Sequence, residues 1–303
     1  MAYYINKCSQ TRPSLENKII SLKEQKVKLS DVDKTIPISP FLKWAGGKRW
    51  LVSKYPDIFP SNCERYIEPF LGGGAVFFHF QPCKAVLADL NSELIETYKA
   101  LKNDWEGVWR ILNKYQNKHS VDFYYDIRSR SFNSKSEKAA QFIYLNRTCW
   151  NGLYRVNQNG QFNVPIGTKD SVIMDTDNFS YISQLLHEAE LITSDFEKII
   201  DNAKEGDFIF IDPPYTVKHN LNGFIKYNNK IFSWDDQIRL RHCSTRAVSR
   251  GVQLIITNAN HQSIKELYDG LGELIEVNRA SVIAGNVKDR GVCSELVIRC
   301  GIR

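Results

Sequence analysis

The sequence predicts an α/β protein whose mostly parallel sheet is built from two separated stretches of chain, about 40–102 and 189–303, with a mainly helical domain inserted over 103–188. Three observations carry this. Short apolar runs alternate with helical stretches toward both ends, the pattern of strand-helix-strand units. The rhythm is lost in the middle, where Trp105, Trp109, Tyr124, Tyr125, Trp150 and Tyr154 lie among basic and amide residues. Finally, a run of glycines and a Pro-Pro pair each follow an apolar run, at the carboxyl end of a strand where open α/β sheets bind ligands.

Taken in order, residues 1–39 are a polar, Lys-rich extension. Leu15, Ile19, Leu22 and Leu29 fall near helical spacing before Pro37 and Pro40, which predicts a short helix on a linker. RYIEPF (65–70) is a strand running into the glycine turn of LGGGAVFFHF (71–80), and AVLADL (85–90) is a second buried strand with its helix over 91–102. Beyond the insert, LITSDF (191–196), DFIFIDPPY (207–215), VQLIITN (252–258), GELIEVN (272–278) and SELVIRC (294–300) are strand candidates. Helices over 235–249 and 263–271 separate some of them.

With 303 residues, 43% of them hydrophobic, the chain can bury the core of one large domain or two smaller ones. A net charge of +6 favours a polyanionic partner without requiring one. The seven cysteines are odd in number and scattered, with no C-x-x-C pair, so neither a disulfide framework nor a zinc site is expected and a reducing cytoplasm fits. No apolar run approaches the ~18 residues of a membrane span, and the first ten residues lack the pattern of a signal peptide. The six histidines are dispersed without acidic partners at ligand spacing, so no metal is expected.

The sharpest chemical signal is Asp212-Pro213-Pro214-Tyr215, directly after the apolar run 208–211. An amino group on an aromatic ring is a poor nucleophile because its lone pair is delocalised. Hydrogen bonds accepted from its two N–H groups, by the Asp212 carboxylate and the Pro213 carbonyl, favour a pyramidal nitrogen whose lone pair is available. Two prolines fix the direction of that carbonyl. Tyr215 offers a face on which a base extruded from a duplex can stack. A bare Asp-Pro-Pro reads as a capped turn; the tyrosine and the preceding strand favour chemistry.

Phe70-Leu71-Gly72-Gly73-Gly74 follows a strand ending at Glu68. Glycines at such a turn let a nucleoside-bearing cofactor approach the backbone, although the spelling is not G-x-G-x-x-G and a tight turn alone is an equal reading. Asp89, about 20 residues further on at the next strand's end, stands where a carboxylate accepts from ribose hydroxyls, and equally where one caps a helix.

Together with Phe41-Leu42-Lys43-Trp44-Ala45-Gly46-Gly47-Lys48, these residues resemble the Dam-type, D12-class DNA adenine methylases. In that family LKWAGGK, EPFxGGG, ADxN, NRxxxNGLxRxN and DPPY segments occur in this order, and all stand here between Leu42 and Tyr215. R-x-S-x-I-A-G at 279–285 is similar to a weaker tail. The resemblance implies a Rossmann-like sheet, S-adenosylmethionine as methyl donor without a metal, and an inserted target-recognition domain. It implies direct, in-line methyl transfer to N6 of adenine flipped out of double-stranded DNA. It places Trp44, Lys48, Glu68 and Gly72 at the cofactor, Asp89 on its ribose, Asp195 and Phe196 beside its adenine, and Asp212 against both cofactor and base.

NRTCWNGLYRVN (146–157) and GQFNVP (160–165) hold two arginines, several amides and an aromatic before a glycine turn. Those residue types suit phosphate contacts, guanine recognition and insertion into a base stack. By the resemblance Trp150 is the intercalating aromatic, a Trp where many relatives have Tyr or Phe. Lys43 and Arg155 correspond to guanine readers, and Leu153 and Pro165 to apolar positions that touch a thymine methyl. Asn151 lies in the same DNA-contacting loop and Arg147 is expected on a phosphate. This set implies GATC or a related site. Cys149 reads as a loop filler, since N6 transfer needs no covalent enzyme intermediate. One rival is methyl transfer to cytosine N4, an RNA adenine or a protein amide, against which the insert argues. Another is an inactive DNA-binding relative, against which the intact Trp44, Asp212, Pro213 and Tyr215 argue. A cognate restriction endonuclease and the oligomeric state are left open.

Overall fold

Where a chain stops adding strands on one side of a sheet and starts on the other, the two neighbouring strand ends open a crevice. The computed structural model, which describes residues 27–28, 38–218, 232–280 and 292–302, has such a point. Its seven-stranded sheet comprises β3 (Tyr66–Glu68), β4 (Ala85–Asp89), β5 (Ala189–Thr193), β6 (Phe208–Ile211), β7 (Gln253–Ala259), β8 (Glu273–Ala280) and β9 (Val292–Cys300). A separate two-stranded pairing joins β1 (Val27–Lys28) to β2 (Asn62–Cys63). The order across the large sheet is β5-β4-β3-β6-β7-β9-β8, and β9 runs against both of its neighbours while the other pairings are parallel. The chain lays β3, β4 and β5 outward in one direction, then returns to place β6 on the free side of β3. Glu68 and Asp212, at or just past the carboxyl ends of β3 and β6, therefore face one crevice. Asp89 ends the adjacent β4, and Thr257 lies near the end of β7.

The helices among the described residues are α1 (Arg49–Lys54), α2 (Ala75–Phe80), α3 (Ser92–Lys118), α4 (Val121–Ser129), α5 (Lys135–Thr148), α6 (Phe179–His187), α7 (Phe196–Asp201), α8 (Trp234–Ser249) and α9 (Gln262–Tyr268). β6 shows why both sheet faces need them. Phe208 and Phe210 enter one apolar cluster with Leu51 of α1 and Phe77 of α2, whereas Ile209 and Ile211 enter another with Ile200, Leu240 and Ile264 of α7, α8 and α9. A strand buried on both sides is the mark of a parallel sheet covered by helices. The expected N-terminal helix through Leu15, Ile19, Leu22 and Leu29 lies outside the described residues.

α3 departs from expectation: it does not end near residue 102 but continues to Lys118, with non-helical geometry at Asp104 (φ −152°, ψ 55°). The Asp104 carboxylate accepts from the Gly107 amide (3.1 Å) and the Ser136 hydroxyl (2.5 Å), offering the backbone an alternative to the helical ladder at that turn. Past this break, α3 packs with α5 and α6. Tyr144, Ile143 and Phe179 of this region belong to the same apolar cluster as Tyr66 and Leu87 of the sheet, so the helical region and one sheet face share a core. After α5 an antiparallel loop runs from Thr148 to Gly167. It is closed at its base by Trp150 N–H to the Pro165 carbonyl (2.9 Å) and nearer its tip by Asn157 N–H to the Gln161 carbonyl (2.8 Å).

Candidate active site and nucleic-acid interface

Asp212 leaves the end of β6 partly exposed, with both of its side-chain partners on one oxygen. Thr257 Oγ1 donates to Oδ1 at 2.6 Å, and Lys48 Nζ pairs with the same Oδ1 at 2.9 Å. Lys48 is 3% exposed; its Nζ also donates to the Gly46 carbonyl at 2.6 Å and lies 4.9 Å from the centre of the Tyr215 ring. Among the described residues this leaves Oδ2 to accept from whatever enters the crevice. Pro213 is buried, and Pro214 and Tyr215 are partly so. The Tyr215 hydroxyl donates to Glu295 Oε2 at 2.7 Å.

The crevice is crowded with carboxylates. Glu68 is buried and accepts from the Tyr66 hydroxyl at 2.9 Å. Asp89 accepts from the Gly72 amide (3.0 Å) and the Asn91 amide (2.9 Å), which ties the glycine turn to the end of β4. Burial raises the affinity of Glu68, Asp89 and Asp212 for a proton above the ordinary carboxylate range, and Lys48 and Thr257 oppose that shift at Asp212. Four acidic groups (Glu68, Asp89, Asp212, Glu295) thus face two basic ones (Lys48, Arg279), with Arg279 Nε 2.8 Å from Glu295. Such a site favours a cationic ligand.

The glycine turn is shaped by what lies on it. A Cβ at Gly72 would sit 2.6 Å from the indole nitrogen of Trp44, and φ is +47° there, so only glycine allows Trp44 to lie against the turn. Trp44 stacks in turn on Tyr154 (centroids 5.9 Å apart, planes at 22°), joining the LKWAGGK segment to the hairpin loop. Asp195 caps α7 by accepting from the Glu197 amide and pairs with Arg239 at 2.8 Å. Phe196 is buried: Phe70 stacks on its ring at 5.3 Å and Phe232 packs at 5.7 Å, so most of the ring is core rather than an open face for a cofactor.

The insert divides its residues sharply between inside and outside. Trp150 is 52% exposed, and Asn151 beside it holds the left-handed conformation (φ +54°). Pro165 and Arg155 are exposed and Leu153 is partly so; Arg155 Nε donates to the Asn163 side chain at 2.8 Å. Lys43 is half-buried, its Nζ donating to the Arg147 carbonyl at 2.6 Å, and burial lowers its proton affinity. Arg147 overturns expectation. It is 0% exposed, and its five N–H donors all meet acceptors: Nε and one Nη2 proton meet the Phe41 carbonyl (3.0 and 2.8 Å), one Nη1 proton meets the Val172 carbonyl (2.7 Å), and both nitrogens bind Asp177 (2.6 and 2.7 Å). No donor is left for a phosphate. Its neighbour Asn146 is also structural, accepting from the Lys43 amide and donating to the Lys43 carbonyl, both at 2.8 Å. Cys149 is the expected filler: it is buried, and its thiol is pushed up to about 11.

Thr257 and Glu295 escaped the sequence reading. The available signal was a polar residue at the end of one strand candidate, VQLIITN, and a lone acid inside another, SELVIRC. Among the described residues no group of three or more His, Cys, Asp or Glu is placed to hold a metal, and no helix is long and apolar enough to cross a membrane.

A seven-stranded, mostly parallel sheet with an acidic crevice and an Asp-Pro-Pro-Tyr corner at its switch point defines an enzyme of the Rossmann-like methyltransferase class. The chain belongs to the D12 class N6 adenine-specific DNA methyltransferase family, whose model matches residues 44–283. It is 37% identical over 273 residues to the type II methyltransferase M1.LlaDCHI of Lactococcus lactis subsp. cremoris, covering 87% of this chain and 95% of that one. It is 34% identical over 285 residues to the type II methyltransferase M.MjaIII of Methanocaldococcus jannaschii, covering 86% and 99%. The DNA adenine methylase of Haemophilus influenzae is 31% identical over 273 residues, covering 87% and 94%. The chain is accordingly an adenine-specific DNA methyltransferase.

Proposed function

We propose that this enzyme transfers a methyl group from S-adenosylmethionine to N6 of adenine in double-stranded DNA, at GATC or a closely related site. The observation that carries the reading is the Asp212 carboxylate: Oδ1 is saturated by Lys48 and Thr257, and Oδ2 remains to accept from an amino group. Catalysis belongs to 40–102 plus 189–303 and reading chiefly to the insert 103–188, which Lys43 joins from the first stretch.

The residues fit the donor. The excess of carboxylates in the crevice complements its positive sulfur and ammonium, and the absence of a Cβ at Gly72 sets the flat indole of Trp44 against the turn. Trp44, Glu68, Gly72 and Asp89 would hold it, with Asp89 on the ribose, Asp195 near the adenine, and Lys48 ordering the corner. When bound, S-adenosylmethionine supplies an electrophilic methyl on a sulfonium leaving group. Asp212 and the Pro213 carbonyl hold the two protons of the target amino group and direct its lone pair; the nitrogen's extra proton leaves to Asp212 or solvent after transfer. The Tyr215 ring supports the extruded base. Trp150, exposed at the base of the hairpin, fills the gap that base leaves.

For site choice, Lys43 and Arg155 are the guanine readers, while Leu153 and Pro165 supply apolar contact for thymine and Asn151 adds a polar group beside the wedge. The test is methyl transfer onto unmethylated genomic DNA, followed by sequencing of modified bases. N6-methyladenine within GATC-like sites is expected; modification of cytosine instead refutes the chemistry, and a motif without a GATC core refutes the site alone.

A further inference from the structure

Glu295 stands on β9, which runs antiparallel to both β7 and β8, and its carboxylate comes within reach of Lys48 and Tyr215 in the crevice. It is buried, and it engages three groups at once. Oε2 accepts from the Tyr215 hydroxyl at 2.7 Å and lies 3.7 Å from Lys48 Nζ; Oε1 lies 2.8 Å from Arg279 Nε. Lys48 is therefore shared between two carboxylates, 2.9 Å from Asp212 and 3.7 Å from Glu295. The two contacts have different consequences. A ring held by its hydroxyl at one end and by its backbone at the other has a fixed axis, and because a phenol O–H prefers the plane of its ring, the acceptor also favours one ring orientation; the Tyr215 face is the surface proposed to carry the reacting base. A lysine held between two acids cannot swing away from Asp212 Oδ1, so the other oxygen stays turned outward.

We infer that Glu295 is a positioning residue for methyl transfer, acting through Tyr215 and Lys48 without touching DNA or cofactor. The inference rests on the function proposed above. It predicts a cost in kcat with little change in KM for either substrate, because the groups it orders act once the base is in place.

The test compares Glu295→Gln, Tyr215→Phe and the double variant with the full-length wild type. Thermal melting, single-turnover methylation and 2-aminopurine fluorescence at the target position are measured. Glutamine keeps the size but removes the charge facing Lys48 and Arg279; kcat is expected to fall roughly 10- to 100-fold, below or at the low end of what losing a direct electrostatic contact costs. Tyr215→Phe keeps the ring and loses only the tether, so a fall of about fivefold is expected, the size of one hydrogen bond. The double variant should be no more than about twofold worse than Glu295→Gln, since the single oxygen of glutamine is drawn to Arg279, its NH2 donor then faces the Tyr215 hydroxyl, and the tether is already lost. The 2-aminopurine signal of the extruded base should change in both single variants, reporting altered stacking on Tyr215; a role in folding alone leaves it unchanged. Wild-type kcat in Glu295→Gln, or full additivity, overturns the inference. If Glu295→Gln does not fold, Tyr215→Phe decides: a lower kcat at constant KM with a changed signal supports it, and unchanged kcat overturns it. A wild type that methylates no adenine would defeat the proposed function instead.

Discussion

Arg147 and Arg155 belong to one twelve-residue segment and face opposite ways. Arg147 is 0% exposed and fully hydrogen-bonded, holding the Phe41 carbonyl, the Val172 carbonyl and Asp177 together at the base of the hairpin. Arg155, toward the tip, is exposed and touches only Asn163 among the described residues. The same contrast separates the proposed catalytic and reading regions. In the crevice every basic group is paired and the carboxylates are crowded and desolvated, whereas Trp150 and Arg155 stand exposed on the hairpin loop. A site that stabilises a transition state needs its charges preorganised before substrate arrives. A site that reads a sequence needs donors left over for its partner. Buried pairing serves the first and wastes the second.

The largest effect should come from the crevice. Asp212→Ala removes the amino-group acceptor and leaves Lys48 with Glu295 as its acidic partner, so methyl transfer should fall by more than ~10³-fold while DNA binding persists at least in part. Turnover above a tenth of wild type would remove Asp212 from the chemistry. Arg147→Ala should act on the fold: with Asp177 left buried and unpaired, unfolding stability should drop by about 3–5 kcal/mol, measured by denaturant titration. An unchanged midpoint with a salt slope of DNA binding smaller by about one would restore Arg147 to the phosphate.

Trp150→Ala should leave stability within about 0.5 kcal/mol, because the side chain is half out in solvent. Duplex methylation should nevertheless fall roughly 10- to 100-fold, and less on a mismatched target adenine, whose unstacking already costs less than the usual few kcal/mol. Equal losses on both substrates would make Trp150 a packing residue. The smallest effect concerns pH. Burial holds the Asp212 carboxyl above its ordinary 3.8, and only the ionised form accepts both from Lys48 and from the amino group. As pH falls through that raised value the acceptor is lost, so the acid limb of kcat should lie above pH 3.8; a limb at or below it would show that the carboxylate is not desolvated when it works.

The sheet was legible because its strands are short apolar runs ending in turn residues; β4, β6 and β7 lie within a residue or so of where their patterns put them. The extension of α3 to Lys118 was not, because its break at Asp104 depends on a bond from Ser136, far along the chain. In the crevice, Asp212, Lys48, Asp89 and Gly72 were legible as parts of motifs. Thr257 and Glu295 were hidden because each stands inside a strand of its own and becomes a partner of Asp212 or Tyr215 only when β7 is laid beside β6 and β9 beside β7. Arg147 was misread for the converse reason. Arginine suits a phosphate and a buried carboxylate equally, and only the packing of α5 decides which one it meets.

Whether reading and chemistry separate as proposed is decided by a genome-wide map of methylated adenines produced by Arg155→Ala, set beside that of the wild type. The variant should still make N6-methyladenine, with a motif relaxed at a single base pair and ~1–3 kcal/mol of discrimination lost there. An unchanged motif, or loss of methylation at all sequences alike, would contradict the division between the exposed hairpin and the buried crevice.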